Sequence, residues 1–244
     1  MANNPIVNMF RVKEIRGRIF FTLIVLAVFR LGSVLTIPGI NPEALTTYFR
    51  SATGASNSFV DYMDFFAGGA FSNFSVFMLG VMPYISTQII LQLALIIFPS
   101  LKRIAQEDGG QKKIQSWTRI GTVFVCLIQS LAVTVYASSI PGAVVISSDI
   151  LFKVIAMISV TTGTMVTIWL GEQITARGIG NGISMLIFAG IVARLPSAVW
   201  ELGRMVSEDM SKLVSVIVVL IMFVGIVILV IYEQQGQRKI PVHY

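Results

Sequence analysis

Residues 65–101 read FFAGGAFSNFSVFMLGVMPYISTQIILQLALIIFPSL, 37 positions without a charge. A helix crosses ~30 Å of hydrocarbon with about 20 residues. A helix as long as this whole run would reach roughly 55 Å at ~1.5 Å per residue. The run therefore has to hold one span plus something else. Its front, Phe65-Phe66-Ala67-Gly68-Gly69-Ala70-Phe71-Ser72-Asn73-Phe74, is rich in Gly and Phe and too short to cross. Its back, residues 76–98, is long enough for a full span. A short, mobile, uncharged segment leading into a spanning helix is a poor anchor. It suits an element that sits inside a membrane cavity and moves.

Composition points the same way. The 244 residues are 55% hydrophobic and only 12% charged, about half the charge of a soluble domain, and the mean hydropathy is +0.81. A multi-span membrane protein is the class that fits. A single cysteine, Cys126, excludes a disulfide framework within the chain, and the single histidine, His243, lies at the C-terminal edge. Eighteen mostly polar residues precede the first apolar run and no small-residue cleavage site follows it, so no cleavable signal peptide is expected.

Six spans are expected, near residues 19–37, 76–98, 120–136, 150–170, 182–195 and 213–232, the fifth starting upstream in the 174–180 stretch. They are helices because hydrocarbon leaves no partner for exposed backbone groups. The fold class is thus all-α. Six spans put both ends on one side. If that side is cytosolic, it holds 12 of the 18 Lys and Arg residues, as the positive-inside rule requires. The organisation is then a cytosolic segment at 1–18, five spans within 19–195, an outer loop at 196–212, the sixth span at 213–232 and the start of a cytosolic loop at 233–244. The loop at 100–118 is the strongest basic block, with Lys102, Arg103, Lys112 and Lys113 around Gly109-Gly110. Its charges set topology, dock an acidic or RNA-containing partner, or do both.

Several polar residues fall within the spans. Arg30 costs ~2.5–3.5 kcal/mol at mid-membrane on insertion scales. It therefore lines a cavity or bonds to loop carbonyls near Pro38-Gly39. Val81, Ile85, Gln88 and Gln92 recur at i, i+4, i+7 and i+11, one face of a helix. That face looks toward other helices or an aqueous funnel. Pro83, inside the same span, tends to kink it. Gln129-Ser130 and Thr161-Thr162-Gly163-Thr164 permit close helix packing. Three glycines between Gly178 and Gly182 allow unusual backbone angles or a close approach. They are not a phosphate loop, since no lysine follows and no strand precedes. Catalytic patterns such as HExxH or GxSxG do not occur. No acid sits mid-span, which disfavours ion-coupled pumping and favours a passive pore. No enzyme activity, metal or cofactor is expected.

The same residues resemble a known family. Arg30-Leu31-Gly32 with Ile37-Pro38-Gly39-Ile40, Met82-Pro83-Tyr84-Ile85-Ser86, Trp169-Leu170-Gly171-Glu172-Gln173-Ile174-Thr175, Arg177-Gly178-Ile179-Gly180-Asn181-Gly182-Ile183-Ser184 and Gly236-Gln237-Arg238-Lys239-Ile240-Pro241-Val242 are spread in order over nearly the whole chain. Together they resemble the amino-terminal part of the SecY family, channel subunits of the protein-conducting translocon. The resemblance implies the N-terminal half of an hourglass channel with an apolar ring at its waist. Val81, Ile85, Ile183 and Ile187 look like ring positions, Val81 being smaller than the isoleucine often found there. Phe65, Phe66, Gly68, Gly69, Phe71, Asn73 and Phe74 resemble the short plug helix, within about residues 60–75, that closes the pore from outside. Gln92 and Gln129 resemble the polar cluster of the lateral gate, through which membrane segments leave for lipid. Lys102, Arg103, Lys112, Lys113, Arg238 and Lys239 are the cytosolic docking candidates.

The implied partners are SecE and SecG, a SecA motor or a ribosome, signal-sequence-bearing polypeptides and membrane lipid. The implied location is the bacterial inner membrane. The family has ten spans in two inverted halves, whereas this chain stops at Tyr244 after the sixth. A fragment, a split chain or part of a subunit is therefore expected, which the missing carboxy-terminal half would complete. A six-span solute transporter with substrate-binding glutamines is the competing reading, and a membrane scaffold a third.

Overall fold

The computed structural model describes residues 12–51, 64, 67–146 and 148–236. Among them the chain is helical, with no strand and only two isolated antiparallel bridges, Thr36 to Ser75 and Ile40 to Val144. The helices are α1 Lys13–Gly32, α2 Pro42–Ser51, α3 Met82–Ile97, α4 Pro99–Gln106, α5 Gly110–Ser139, α6 Asp149–Arg177, α7 Gly182–Val192, α8 Leu195–Glu208 and α9 Leu213–Gln235. The chain divides into two compact units at Arg194 and Leu195.

Four helical stretches are long and apolar enough to cross a membrane: Gly110–Ser139, Asp149–Arg177, Gly182–Glu208 and Met210–Gln235. A fifth is counted if α3 and α4, bent by 105° at their junction, act as one. Six were expected. The shortfall is α1, where every 18-residue window holds at least three charged residues, Arg16, Arg18 and Arg30 among them.

The second expected span is shorter than its hydropathy implies. From Gly68 to Val81 the backbone is a series of turns, interrupted only by the Ser75 bridge, and helix starts at Met82. Pro83 falls in the first turn of α3, where the missing N–H has no intrahelical partner to lose. It starts the helix and does not kink it. At 16 residues, α3 reaches about 24 Å and does not cross alone.

Two other boundaries move. α5 and α6 extend well beyond the apolar cores at 120–136 and 150–170, since their polar ends carry no hydrophobic signal. The fifth helix does not begin in the 174–180 stretch. It begins at Gly182, where Asn181 caps it by accepting from the N–H groups of Ile183 at 3.0 Å and Ser184 at 3.3 Å. That satisfies two of the donors a helix start leaves open.

In the first unit α5 packs against α3 and α6, and α6 packs against α1 and α7. α5 buries Thr118, Thr122, Cys126, Ser130 and Thr134, a small-residue stripe at every fourth position. Such stripes let helices approach closely where lipid offers no hydrophobic drive for association. Gly163 of α6 shows the limit: a Cβ there would lie 2.0 Å from the Val76 carbonyl oxygen. Residues 35–41 run between the 74–76 and 143–145 stretches. Ile37 donates to the Phe74 carbonyl at 2.9 Å, Val76 to that of Leu35 at 2.8 Å, and Asn41 to that of Ala143 at 2.8 Å.

In the second unit the segment 196–212, expected as an outer loop, is mostly the helix α8. A 3-10 turn, Met210–Lys212, joins it to α9. Hydrogen bonds from the Ser211 hydroxyl and N–H hold the Asp209 carboxyl below the usual carboxylate range. None of the most apolar window of α9 is buried, the inverse of a soluble protein and the normal state of a helix solvated by lipid.

Candidate functional site

Two turns of helix from different parts of the chain meet in one apolar cluster. Val81 is the residue from which α3 starts, and the Ile85 N–H donates to its carbonyl at 3.1 Å. Ile183 and Ile187 are successive positions on one face of α7. All four candidate ring residues fall in a cluster with Val25 and Phe29 of α1, Phe77, Leu170 and Ile174 of α6, and Leu186. Val81 is buried, while Ile85, Ile183 and Ile187 are half-buried and keep some accessible surface. The Phe29 and Phe77 rings stack at 5.9 Å and 10°. No side chain of this cluster offers a donor, acceptor or charge, so a hydrated ion entering it would lose water without compensation.

What holds α7 against this cluster is backbone proximity. A Cβ on Gly182 would lie 1.8 Å from the Gly171 carbonyl oxygen. The Gly182 N–H donates to Thr175 Oγ1 at 2.8 Å, and the Ile179 N–H donates to Thr22 Oγ1 of α1 at 3.2 Å. The Gly-Glu-Gln to Gly-Asn-Gly motif is therefore a tight helix–turn–helix clamped to α1. Glu172 within it takes a two-pronged ion pair from Arg119 of α5, at 2.9 and 2.8 Å, a link the sequence reading missed.

The expected plug lies beside this cluster. Gly68, Phe71 and Phe74 are buried, Gly69 is half-buried and Asn73 is exposed. Phe65 and Phe66 lie outside the described residues. A helix was expected here, and from Gly68 onward the segment is not one. Gly68, Gly69 and Phe74 all have positive φ, +64°, +95° and +42°, which a right-handed helix does not tolerate. Phe71 and Phe74 pack with Ile37, Ile40, Leu45 and helices α5 and α6 in the other apolar cluster. A segment that moves was expected here, and in the structure it is tied by side chains of α1 and of the end of α7. Arg30 donates to the Gly68 carbonyl, and the buried Asp64 carboxylate accepts from Arg194 and from the N–H groups of Phe71 and Ser72. Arg30 thus bonds the Gly68 carbonyl and not those near Pro38-Gly39. The one sequence signal for Asp64 was its place as the acid bounding the uncharged run.

The two glutamines do not come together. Gln129 lines a cavity of about 380 Å³ with Phe71, Met78, Met82, Ser86 and Tyr136. Gln92 lines another of about 390 Å³ with Tyr84, Gln88, Gln111, Lys112 and Gln115. Lys102 and Arg103 are exposed on α4, and Lys112 and Lys113 are exposed in the first turn of α5. What was read as a basic loop is therefore largely two helical arms. Arg238 and Lys239 lie outside the described residues.

Lipid-length apolar helices, with an apolar cluster shared by α1, α3, α6 and α7 in the first unit, define a multi-pass α-helical membrane protein. The chain belongs to the SecY family: the family model described as SecY matches residues 75–244. It is 46% identical over 214 residues to a protein translocase subunit SecY of Borreliella burgdorferi, covering 88% of this chain and 49% of that one. It is 40% identical over 235 residues to the subunit of the same name from Escherichia coli K12, covering 95% and 52%. The chain thus spans about half the length of these relatives. Among solved structures, the fold is similar to that of "The structure of a protein conducting channel", with a TM-score of 0.56 at 19% identity over 92% of this chain and 52% of that one. It is also similar to Sec61 in the canine ribosome-channel complex from the endoplasmic reticulum, with a TM-score of 0.57 at 19% identity over 99% and 54%.

Proposed function

We propose that this chain supplies one side of the constriction of a protein-conducting channel, through which unfolded secretory polypeptides pass and from which membrane segments leave into lipid. The observation that carries this reading is the convergence of Val81, Ile85, Ile183 and Ile187 in one cluster without polar side chains. Branched apolar side chains resist ion leakage by dewetting, yet make few directional bonds to a chain sliding past. The plug residues beside it close the opening, and Gln92 and Gln129 border the exit toward lipid from two separate cavities. The names of the relatives support the activity, and the ribosome named with one structural neighbour supports a cytosolic docking role for Lys102, Arg103, Lys112, Lys113, Arg238 and Lys239. SecE and SecG, a SecA motor or a ribosome, and the remaining half of the channel complete the assembly. The basic bias of the segments at 1–18, 100–118 and 233–244 supports a cytosolic position for both ends, and the proposed membrane is the bacterial inner membrane.

The test is a photoreactive residue at Ile85 in the complete channel, with a secretory chain stalled in transit. An adduct with the stalled chain is expected. Its absence, with adducts forming elsewhere in the channel, removes Ile85 from the path.

A further inference from the structure

We propose that Arg194 acts, through the buried carboxylate of Asp64, as a latch that holds the plug segment to the end of α7, with Arg30 gripping the same segment from α1. This rests on the reading of the cluster as a channel constriction and adds what governs its closure.

Asp64 is 2% exposed. Its Oδ1 accepts from the N–H groups of Phe71 at 3.0 Å and Ser72 at 2.9 Å, and its Oδ2 accepts from Ser72 Oγ and Arg194 Nη2. Its backbone carbonyl accepts from the Gly69 N–H at 3.1 Å. One oxygen therefore folds the turn, while the other also ties it to a residue 130 positions away. The surfaces match as well. A Cβ on Gly68 would lie 2.8 Å from the Gly190 Cα, and one on Gly69 would lie 3.4 Å from Arg194 Nη2. The glycine turn thus seats directly on the last turn of α7, and its carbonyl at Gly68 takes the Arg30 hydrogen bond.

The latch is mechanically joined to the constriction. Ile183, Ile187 and Gly190 recur at i, i+4 and i+7, one face of α7, and Arg194 follows Gly190 by one more turn. Motion of α7 that widens the ring pulls on the seat of the plug. The Arg194 side chain is 37% exposed against 3% for Asp64, so water reaches the guanidinium first and the latch opens from the arginine side. Losing that partner leaves the buried carboxylate with its hydrogen bonds from Phe71 and Ser72 but without a counter-charge, which favours its release into water.

The experiment uses the complete channel in proteoliposomes, with a label at N73C. Asn73 is exposed, and the chain's own cysteine, Cys126, is buried. Label mobility reports plug release, and resting ion conductance reports closure. R194Q is expected to raise both at least fivefold, R194K less. R204Q, which removes an exposed pair with Glu208 in the second unit, is expected to leave both unchanged. D64N keeps an oxygen for Phe71 and Ser72 and carries the test if R194Q fails to accumulate. A mobile label with unchanged conductance supports the latch and instead sinks the closure reading. A label as immobile in R194Q and D64N as in the parent overturns the latch.

Discussion

Replacing Gly182 with alanine puts one methyl group where the structure has no room. The added Cβ would lie 1.8 Å from the Gly171 carbonyl oxygen, 2.7 Å from its carbon and 2.8 Å from Ile174 Cβ. The first of these is about 1.5 Å inside van der Waals separation, and two of the three atoms are backbone, with no rotamer to swing away. α7 therefore has to shift off α6. Overpacking of this kind costs about 1–3 kcal/mol or more, and the helix propensity gained over glycine returns at most ~1 kcal/mol. A net loss of roughly 2 kcal/mol lowers the melting temperature by about 4–8 °C in a chain of this size. Thermal unfolding followed by a thiol-reactive dye reads this directly, because Cys126 is 0% exposed in the fold and is the chain's single cysteine. Gly203→Ala is the matched control: no atom lies within 4 Å of a Cβ there, and its melting temperature is expected to hold or rise. If Gly182→Ala melts at or above the parent, the close approach of α6 and α7 is not what fixes α7, and the placement of Ile183 and Ile187 needs another cause.

Two further outcomes are expected. Asparagine at Ile85 or Ile187 gives the apolar cluster a hydrogen-bonding group and raises the resting ion conductance of the complete channel. Unchanged conductance would mean that these residues are core packing only. Glutamates at Lys112 and Lys113, in the first turn of α5, complement the helix dipole and add about 0.3–1 kcal/mol each, while weakening binding of an acidic or RNA-containing partner in a sedimentation assay. Docking that is unaffected by this charge reversal removes those lysines from the interface.

The long apolar helices were legible because hydrophobic runs of that length have one use. α5, α6 and α9 appear where the runs predicted, with polar ends that the runs could not show. The start of α3 was not legible from hydropathy, since an apolar turn and an apolar helix read alike. Pro83 carried the information, because proline is tolerated in the first turn of a helix. Spacing put Val81 and Ile85 on one helix face and the resemblance alone named the four ring positions, which the structure brings into one cluster. The ties to the glycine turn at Gly68 and to Asp64 were not legible for a different reason. Arg30 to Gly68 spans 38 positions and Arg194 to Asp64 spans 130, and a pairing over such distances leaves no local signature. Gln92 and Gln129 were grouped by the family resemblance alone, and the geometry gives each its own cavity.

The proposed constriction has a construction that an uninterrupted span would not provide. Val81 and Ile85 belong to the start of α3, and Ile183 and Ile187 to the start of α7. Each helix is entered through a glycine of positive φ, Gly80 at +52° and Gly180 at +73°, a conformation that only glycine takes at little cost. Each ring pair is thus carried on a helix whose first turn follows a break in the chain. A rigid helix behind such a break changes its tilt by altering a few backbone dihedrals, without breaking its own hydrogen bonds. A continuous helix through the same place would have to bend. In the proposed channel, apolar contact would supply the seal and the broken starts the freedom to open it, so the Gly-Asn-Gly turn and the turn before Met82 would matter as much to the waist as the isoleucines themselves.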